Sequence, residues 1–162
     1  MIKSKGWDWK IVKDDIDCPW KIPSVESYYL LNRWENLNFK NFLDLGCGLG
    51  RHTVLFAENG FNVSGFDISK EGIRKTKEWL KNLDLKADLK VGDMLELPYE
   101  NESFDCILCR NVISHQDTEG VKQIIKELYR VLKNNGECYL TLGSKSTWGF
   151  KQDSWPLVDE NT

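Results

Sequence analysis

The stretch FLDLGCGLGRHT, Phe42 to Thr53, sets an acid, Asp44, near the end of an apolar run and follows it with Gly46, Gly48 and Gly50. Glycine loses more conformational freedom on folding than any other residue, so three within five positions predict a backbone that must approach something closely. Amides at the start of a following helix suit a negative or polar group. The spacing narrows the choice. A dinucleotide-binding turn reads G-x-G-x-x-G, whereas the pattern here is G-x-G-x-G and Arg51 stands where the third glycine would be. Asp44 would repel a pyrophosphate and could orient a cationic amino group, directly or through water. A ligand with an ammonium and no phosphate therefore suits this turn better than NAD.

Two further acids stand at matching places. Asp67 ends a second apolar run, 17 residues beyond Gly50, near the spacing at which an acid takes ribose hydroxyls. Asp93, in VGDM, follows a third run and could accept a proton from an adenine amino group, with Ile68 and Met94 offering apolar surface to the ring. Each acid has an ordinary explanation as well: Asp67 as a cap for a helix at Ser69, Asp93 as the holder of a turn after Gly92. Arg51 suits a carboxylate of a cofactor or substrate, or a surface acid. His115, in RNVISH, is the candidate general base if the reaction needs one; the competing reading is a loop residue making structural hydrogen bonds. His52 reads as a packing or solvent-facing residue.

The elements that must position these residues follow from periodicity. FLDLG (42–46), NVSGFDI (62–68), DLKVG (88–92), FDCILC (104–109) and ECYLTL (137–142) read as strands. Between them, residues 51–59 form a helix stopped by Gly60, and Ser69 caps a second with Glu71 in its first turn. A third helix begins at Thr118 and places Val121, Ile124, Ile125, Leu128, Val131 and Leu132 on one face, with Asn135 and Gly136 as its stop. Strand and helix in alternation give parallel pairing. The expected fold is a doubly wound, Rossmann-like α/β sheet of about five mostly parallel strands with helices on both faces.

At 162 residues with 41% apolar content the chain suits one domain with one core. Residues 1–40 read as an aromatic-rich helical arm or lid, because they hold Trp7, Trp9, Trp20 and Trp34 without a clean period. Residues 41–143 read as the α/β unit, and 144–162 as a tail of the same domain. A net charge of -3 offers no general attraction to phosphate backbones or anionic lipid, and no apolar run approaches a membrane span. The charged N-terminus is unlike a signal peptide. Nucleic acid and membrane are therefore not expected as partners, and a cytoplasmic location is. The C-x-x-C of FDCILC invites a metal, but a strand sends residues three apart to opposite faces, and no second pair completes a ligand set. No metal site is expected.

DLGCGLGRHT, GFDIS, VGDMLELPYENESFDCILCRNVISH and VLKNNGECYLTL together resemble the successive motifs of the class I S-adenosylmethionine-dependent methyltransferases, from about Asn41 to Leu142. The resemblance implies S-adenosyl-L-methionine as cofactor. Asp44 and the loop Gly46, Cys47, Gly48 to Gly50, with Arg51 behind it, would hold the methionine portion. Asp67 would take the ribose hydroxyls, Asp93 with Ile68 and Met94 the adenine, and Asn111 the methionine portion or the reacting methyl. No D/N-P-P-Y or Pro-Cys motif of nucleic-acid enzymes follows the fourth strand, so a small-molecule acceptor is expected. Relatives continue past the fifth strand with a helix and a hairpin, which the remaining residues here do not resemble. Either the chain is truncated or a partner covers the fifth strand's edge; an uncovered edge is an association hazard, so a homodimer through it, or marginal stability, is expected. Cofactor binding without turnover, or a nicotinamide enzyme, are the rival readings.

Overall fold

The computed structural model describes residues 7–10, 12 and 18–143, His115 by its backbone alone. After a short 3-10 turn at Pro19–Lys21, the chain runs α1 (Val25–Asn36), β1 (Asn41–Leu45), α2 (Arg51–Glu58), β2 (Asn62–Asp67), α3 (Lys70–Asn82) and β3 (Asp88–Val91). It continues through β4 (Phe104–Cys109), α4 (Thr118–Val131) and β5 (Leu132–Leu140). The five strands are all parallel in the order β3-β2-β1-β4-β5. The chain winds outward from β1 to β3, returns to the other side of β1 and winds outward again. The order thus reverses between β1 and β4, and in such sheets a crevice opens there at the carboxyl ends of the strands.

Each face of the sheet has its own core. On one, α4 lays Ile124, Leu128 and Val131 against Leu43, Leu45, Phe104 and Ile107. On the other, Leu30, Leu31 and Trp34 of α1 and Leu55 and Phe56 of α2 cover Phe42, Val63 and Leu108, with α3 beside α2 against β2 and β3. Alternation along β1 decides where the chemistry points. Leu43 and Leu45 face α4, so Phe42 and Asp44 face the α1–α2 side. The same rule separates the cysteines of FDCILC: Cys106 lies in the α1–α2 core and Cys109 in the α4 core. Among the described residues no cluster of potential metal ligands occurs, and no helix is long and apolar enough to cross a membrane.

One boundary differs from the sequence reading. The last helix ends at Val131 rather than near Asn135, because Leu132 adopts an extended backbone and pairs with Phe104. The register then shifts before Glu137 meets Cys106, and Asn135 occupies a left-handed turn inside that irregularity. The start of this helix is at Thr118, where the pattern puts it, behind the N-cap Asp117, whose carboxylate accepts from the Gly120 amide at 2.7 Å.

Residues 18–40 are fastened to the sheet by Trp34, which is fully buried against Phe42 and Phe56. Its Nε1 donates to Glu137 on β5 at 2.9 Å, and the same carboxylate takes Arg33 Nε at 2.8 Å. Trp34→Ala should lower stability by about 3–5 kcal/mol through the cavity it leaves, measured by urea unfolding. A loss under about 1 kcal/mol, the size of an ordinary surface change, would contradict this packing.

Candidate functional site

The turn from β1 into α2 holds Gly46, Gly48 and Gly50 at φ +73°, +56° and +86°. All three positions also forbid a side chain for want of room, Gly50 because a Cβ there would sit 2.4 Å from Thr76 Cγ2. A Cβ on Gly46 would sit 2.3 Å from Val112 Cγ2 in the segment after β4, and one on Gly48 would sit 2.5 Å from the indole of Trp9. The Gly46 amide donates to Phe66 O at 2.7 Å and the Gly50 amide to Cys47 O at 2.9 Å, which closes the turn. Cys47 turns its thiol inward beside Gly65. It is 5% exposed, and burial, with Asp44 and Asp67 nearby, pushes its pKa well up, so it is no nucleophile.

Asp44 is 2% exposed and accepts a 2.7 Å hydrogen bond from Thr53 Oγ1 on α2. Burial pushes its carboxyl up to about 6, opposed by the Thr53 bonds and by the Arg51 cation. Asp67, at the end of β2, spends both oxygens on backbone: Oδ2 accepts from the Gly48 amide at 2.8 Å and Oδ1 from the Ser69 amide at 2.7 Å. Burial raises this carboxyl too, and those two amides pull it down. The acid thus pins the glycine turn to the entrance of α3, whose cap is the Ser69 side chain accepting from Gly72. Capping and site geometry, alternatives in the sequence, coincide in one carboxylate. Each oxygen retains a second lone pair for a hydroxyl donor.

Beyond β3, Asp93 accepts from the Leu95 amide at 3.0 Å. Ile68 is half-buried beside Asp67, while Met94, 7% exposed, packs into the α4 core. Asn111 takes a left-handed backbone, φ 58°, just past β4; its amide donates to Thr141 Oγ1 at 2.7 Å and its side-chain oxygen accepts from the same hydroxyl at 3.2 Å. Its side chain is exposed. His115 closes a 3-10 turn, Ile113–His115, with its side chain outside the described residues. His52 is buried and its Nε2 accepts from the Ser24 amide at 3.3 Å; burial and the cations of Arg51 and Arg110 bring its pKa down to about 3. It is a neutral cap for α1.

Several members of this region carry no local signal. Thr53 is nine residues from Asp44 and meets it only because α2 folds back on β1. Thr76 Oγ1 on α3 donates to Gly48 O at 3.0 Å. Trp7, Trp9 and Trp20 cluster at centroid distances of 5.6–6.5 Å, with Lys75 Nζ donating to Trp9 O at 3.1 Å. A concavity of about 580 Å³ lies elsewhere, at the amino ends of the strands among Asn41, Asn62 and Asp88.

A family model described as a methyltransferase domain matches residues 42–136. A demethylmenaquinone methyltransferase from Lactobacillus johnsonii is 30% identical over 129 residues, which cover 72% of this chain and 52% of the relative. A norajmaline N-methyltransferase from Rauvolfia serpentina is 38% identical over 96 residues, 57% of this chain and 32% of the relative. The solved structure of a SAM-dependent methyltransferase from Methanosarcina mazei superposes with a TM-score of 0.59 at 34% identity, covering 62% of this chain and 50% of that one. The chain spans about half the length, or less, of the curated relatives it matches.

The buried carboxylate gives this edge of the sheet a pH signature. With the folded Asp44 titrating at about 6 and the unfolded group near 3.8, both states are protonated below the lower value and the group is neutral in effect. As pH rises from there to about 6 the unfolded chain ionises first, and stability falls by an amount on the order of 3 kcal/mol, complete above the folded value. Asp44→Asn should remove that decline, so the variant gains on the wild type between pH 4 and pH 7 in urea unfolding without ligand. Parallel pH profiles would place the carboxylate in a solvated setting.

Proposed function

The chain belongs to the class I S-adenosylmethionine-dependent methyltransferases, and from that membership we propose that it holds S-adenosylmethionine at the carboxyl edge of its sheet and directs the methyl group to a small organic acceptor. The observation that carries the reading is the Asp67 carboxylate bound to the Gly48 amide. It brings the acid of β2 and the turn after β1 within one hydrogen bond of each other, at the edge where a nucleoside would need both. Asp44 supports it further. A buried carboxylate raised by desolvation favours a cationic neighbour, and a ligand ammonium would supply one where a pyrophosphate would be repelled.

In this assignment Asp44 and the turn Gly46–Gly50 receive the amino-acid end, directly or through water. Asp67 takes ribose hydroxyls on its remaining lone pairs, Asp93 and Ile68 the adenine, and Asn111 the methionine portion or the reacting methyl. Met94 acts from below, as core under the adenine subsite rather than as its wall. The cofactor supplies a methyl carbon activated by a positive sulfur. What remains for the protein is alignment, a contribution of roughly 7–11 kcal/mol in well-oriented systems. His115 is proposed as base only for an acceptor whose proton must leave. Relatives named for demethylmenaquinone and for norajmaline support a small organic acceptor, and a cytoplasmic setting fits one.

Calorimetry with S-adenosylhomocysteine and with NAD tests the reading: the first should bind and the second should not. Asp67→Asn should then weaken S-adenosylhomocysteine by roughly 10–100-fold, since hydrogen bonds to charged groups contribute about 1.5–3 kcal/mol. Unchanged affinity would remove Asp67 from the site. Detection of methyl release to any of a panel of small acceptors would separate an enzyme from a binding protein without turnover.

We also propose that β5 is an association edge. Among the described residues it pairs only with β4, and Tyr29 and Tyr129 on the helices flanking it are 67% and 84% exposed. Sedimentation equilibrium should show a dimer growing with concentration. A monomer throughout, with a high melting temperature, would rule the edge out as an interface.

A further inference from the structure

The strand register places two arginines on either side of the point where the strand order reverses. Asp44 of β1 pairs with Leu108 of β4, so continuing two residues sets Arg110 beside Gly46, while Arg51 opens α2 at the far end of the same turn. Both are covered by the segment that leads into α1. Arg51 Nη1 lies 3.4 Å from Ile22 O, and its guanidinium sits 5.8 Å from the Trp20 ring centroid. Arg110 is 23% exposed; its Nε is buried without a hydrogen-bond partner among the described residues, the nearest carboxylate oxygen being Glu26 Oε2 at 3.6 Å. The arginines feel one another, since burial and the Arg110 cation both lower the Arg51 pKa. His52, beside Arg51 in the chain, is held neutral by burial and by both cations, and Glu26 of α1 is an acid that both cations hold down.

The buried Arg110 Nε, with Glu26 Oε2 at 3.6 Å, and the Arg51 guanidinium, held by a long 3.4 Å bond to Ile22 O, leave donors that a planar two-oxygen anion satisfies best. We propose that Arg51 and Arg110 form a receptor for a carboxylate at the mouth of the β1–β4 crevice, with Glu26 as its internal competitor. The inference rests on the cofactor reading for its place in the site and adds to it the chemical class read there. The carboxylate comes from the amino-acid end of the cofactor or from an acidic acceptor, and the two sources separate experimentally.

Arg110→Gln, Arg110→Lys and Glu26→Gln are compared with the wild-type chain by calorimetry, after thermal melts establish folding. The probes are S-adenosylhomocysteine, 5′-methylthioadenosine, which lacks the amino-acid end, and benzoate added to protein saturated with S-adenosylhomocysteine. If the cofactor supplies the carboxylate, Arg110→Gln weakens S-adenosylhomocysteine about tenfold or more and leaves 5′-methylthioadenosine unchanged. If an acceptor supplies it, both nucleosides bind as before and the benzoate affinity of the wild type is lost. Under either source Arg110→Lys recovers only part of the binding, and Glu26→Gln tightens the carboxylate ligand severalfold, a gain that misfolding cannot imitate. Wild-type affinities for all three probes in Arg110→Gln, or a Glu26→Gln variant that binds no tighter, would overturn the receptor. A wild-type chain that binds neither nucleoside would instead remove the cofactor reading, and the benzoate titration on free protein would then decide the arginine pair alone.

Discussion

Everything at the carboxyl edge of this sheet depends on a turn that alternates into the left-handed region three times in five residues. An L side chain there costs roughly 1–2 kcal/mol in backbone terms alone, and at Gly46 and Gly48 it would also collide with Val112 and Trp9. The turn is stiff rather than loose, because it is held from three directions. Phe66 O takes its first amides, Asp67 takes the Gly48 amide, and Thr76 donates to Gly48 O. Such cross-bracing turns three glycines, the residues with the most freedom to lose, into a preorganised surface. It also ties the turn after β1 to β2 and α3 at a single residue, Gly48.

Electrostatics at the same edge follow from burial. Asp44 lies among Phe42 and Leu45 on an interior strand, one Thr53 hydroxyl is its hydrogen-bonding side-chain neighbour, and desolvation raises its pKa. A protein optimised only for stability would not keep a carboxylate there, because an asparagine could accept the same hydroxyl. The cost makes sense as stored preference for positive charge, a recurring property of functional positions. Arg51 supplies part of that charge from outside the turn and is itself discouraged by burial and by Arg110. The two signs are therefore held apart on a short scale, acid inside and cation at the mouth, an arrangement that complements a zwitterion better than any ion of one sign.

Much of the architecture was legible because it is local. Strand alternation, the Gly60 stop and the Ser69 cap all lie within a few residues of their cause, and the structure has them where the pattern puts them. The end of the last helix was not, since Leu132 continues the apolar stripe and only its pairing with Phe104, 28 residues earlier, draws it into a strand. Asp67, legible as an acid at a strand end, hid its second role because the partner amide of Gly48 is 19 residues distant. Met94 shows in the sequence only as an apolar residue beside Asp93, and its packing into the α4 core appears only in the fold. The seat of Trp9 on Gly48 and Gly72 had no signal at all. Residues 1–40 lack a period, and the slot that receives the indole exists only once α3 has docked.

The division of labour explains why a frame this recognisable says little about the acceptor. Displacement at a carbon already activated by a sulfonium needs position more than acid–base or covalent assistance, so the strand ends and the glycine turn can be shared across unlike acceptors. On the proposed reading selectivity comes from what lies over the crevice, and among the described residues the run from Trp20 to Glu26 lies there. It stacks an indole against Arg51, offers Ile22 O to the same guanidinium, caps on His52 through the Ser24 amide, and faces Arg110 with Glu26. These contacts come from a 3-10 turn and a helix start, elements joined to the sheet through Trp34 rather than through strand pairing. Substitutions in that run can therefore retune charge and shape at the crevice without disturbing the Asp67–Gly48 brace beneath it, the physical condition under which acceptor choice varies while the cofactor frame stays the same.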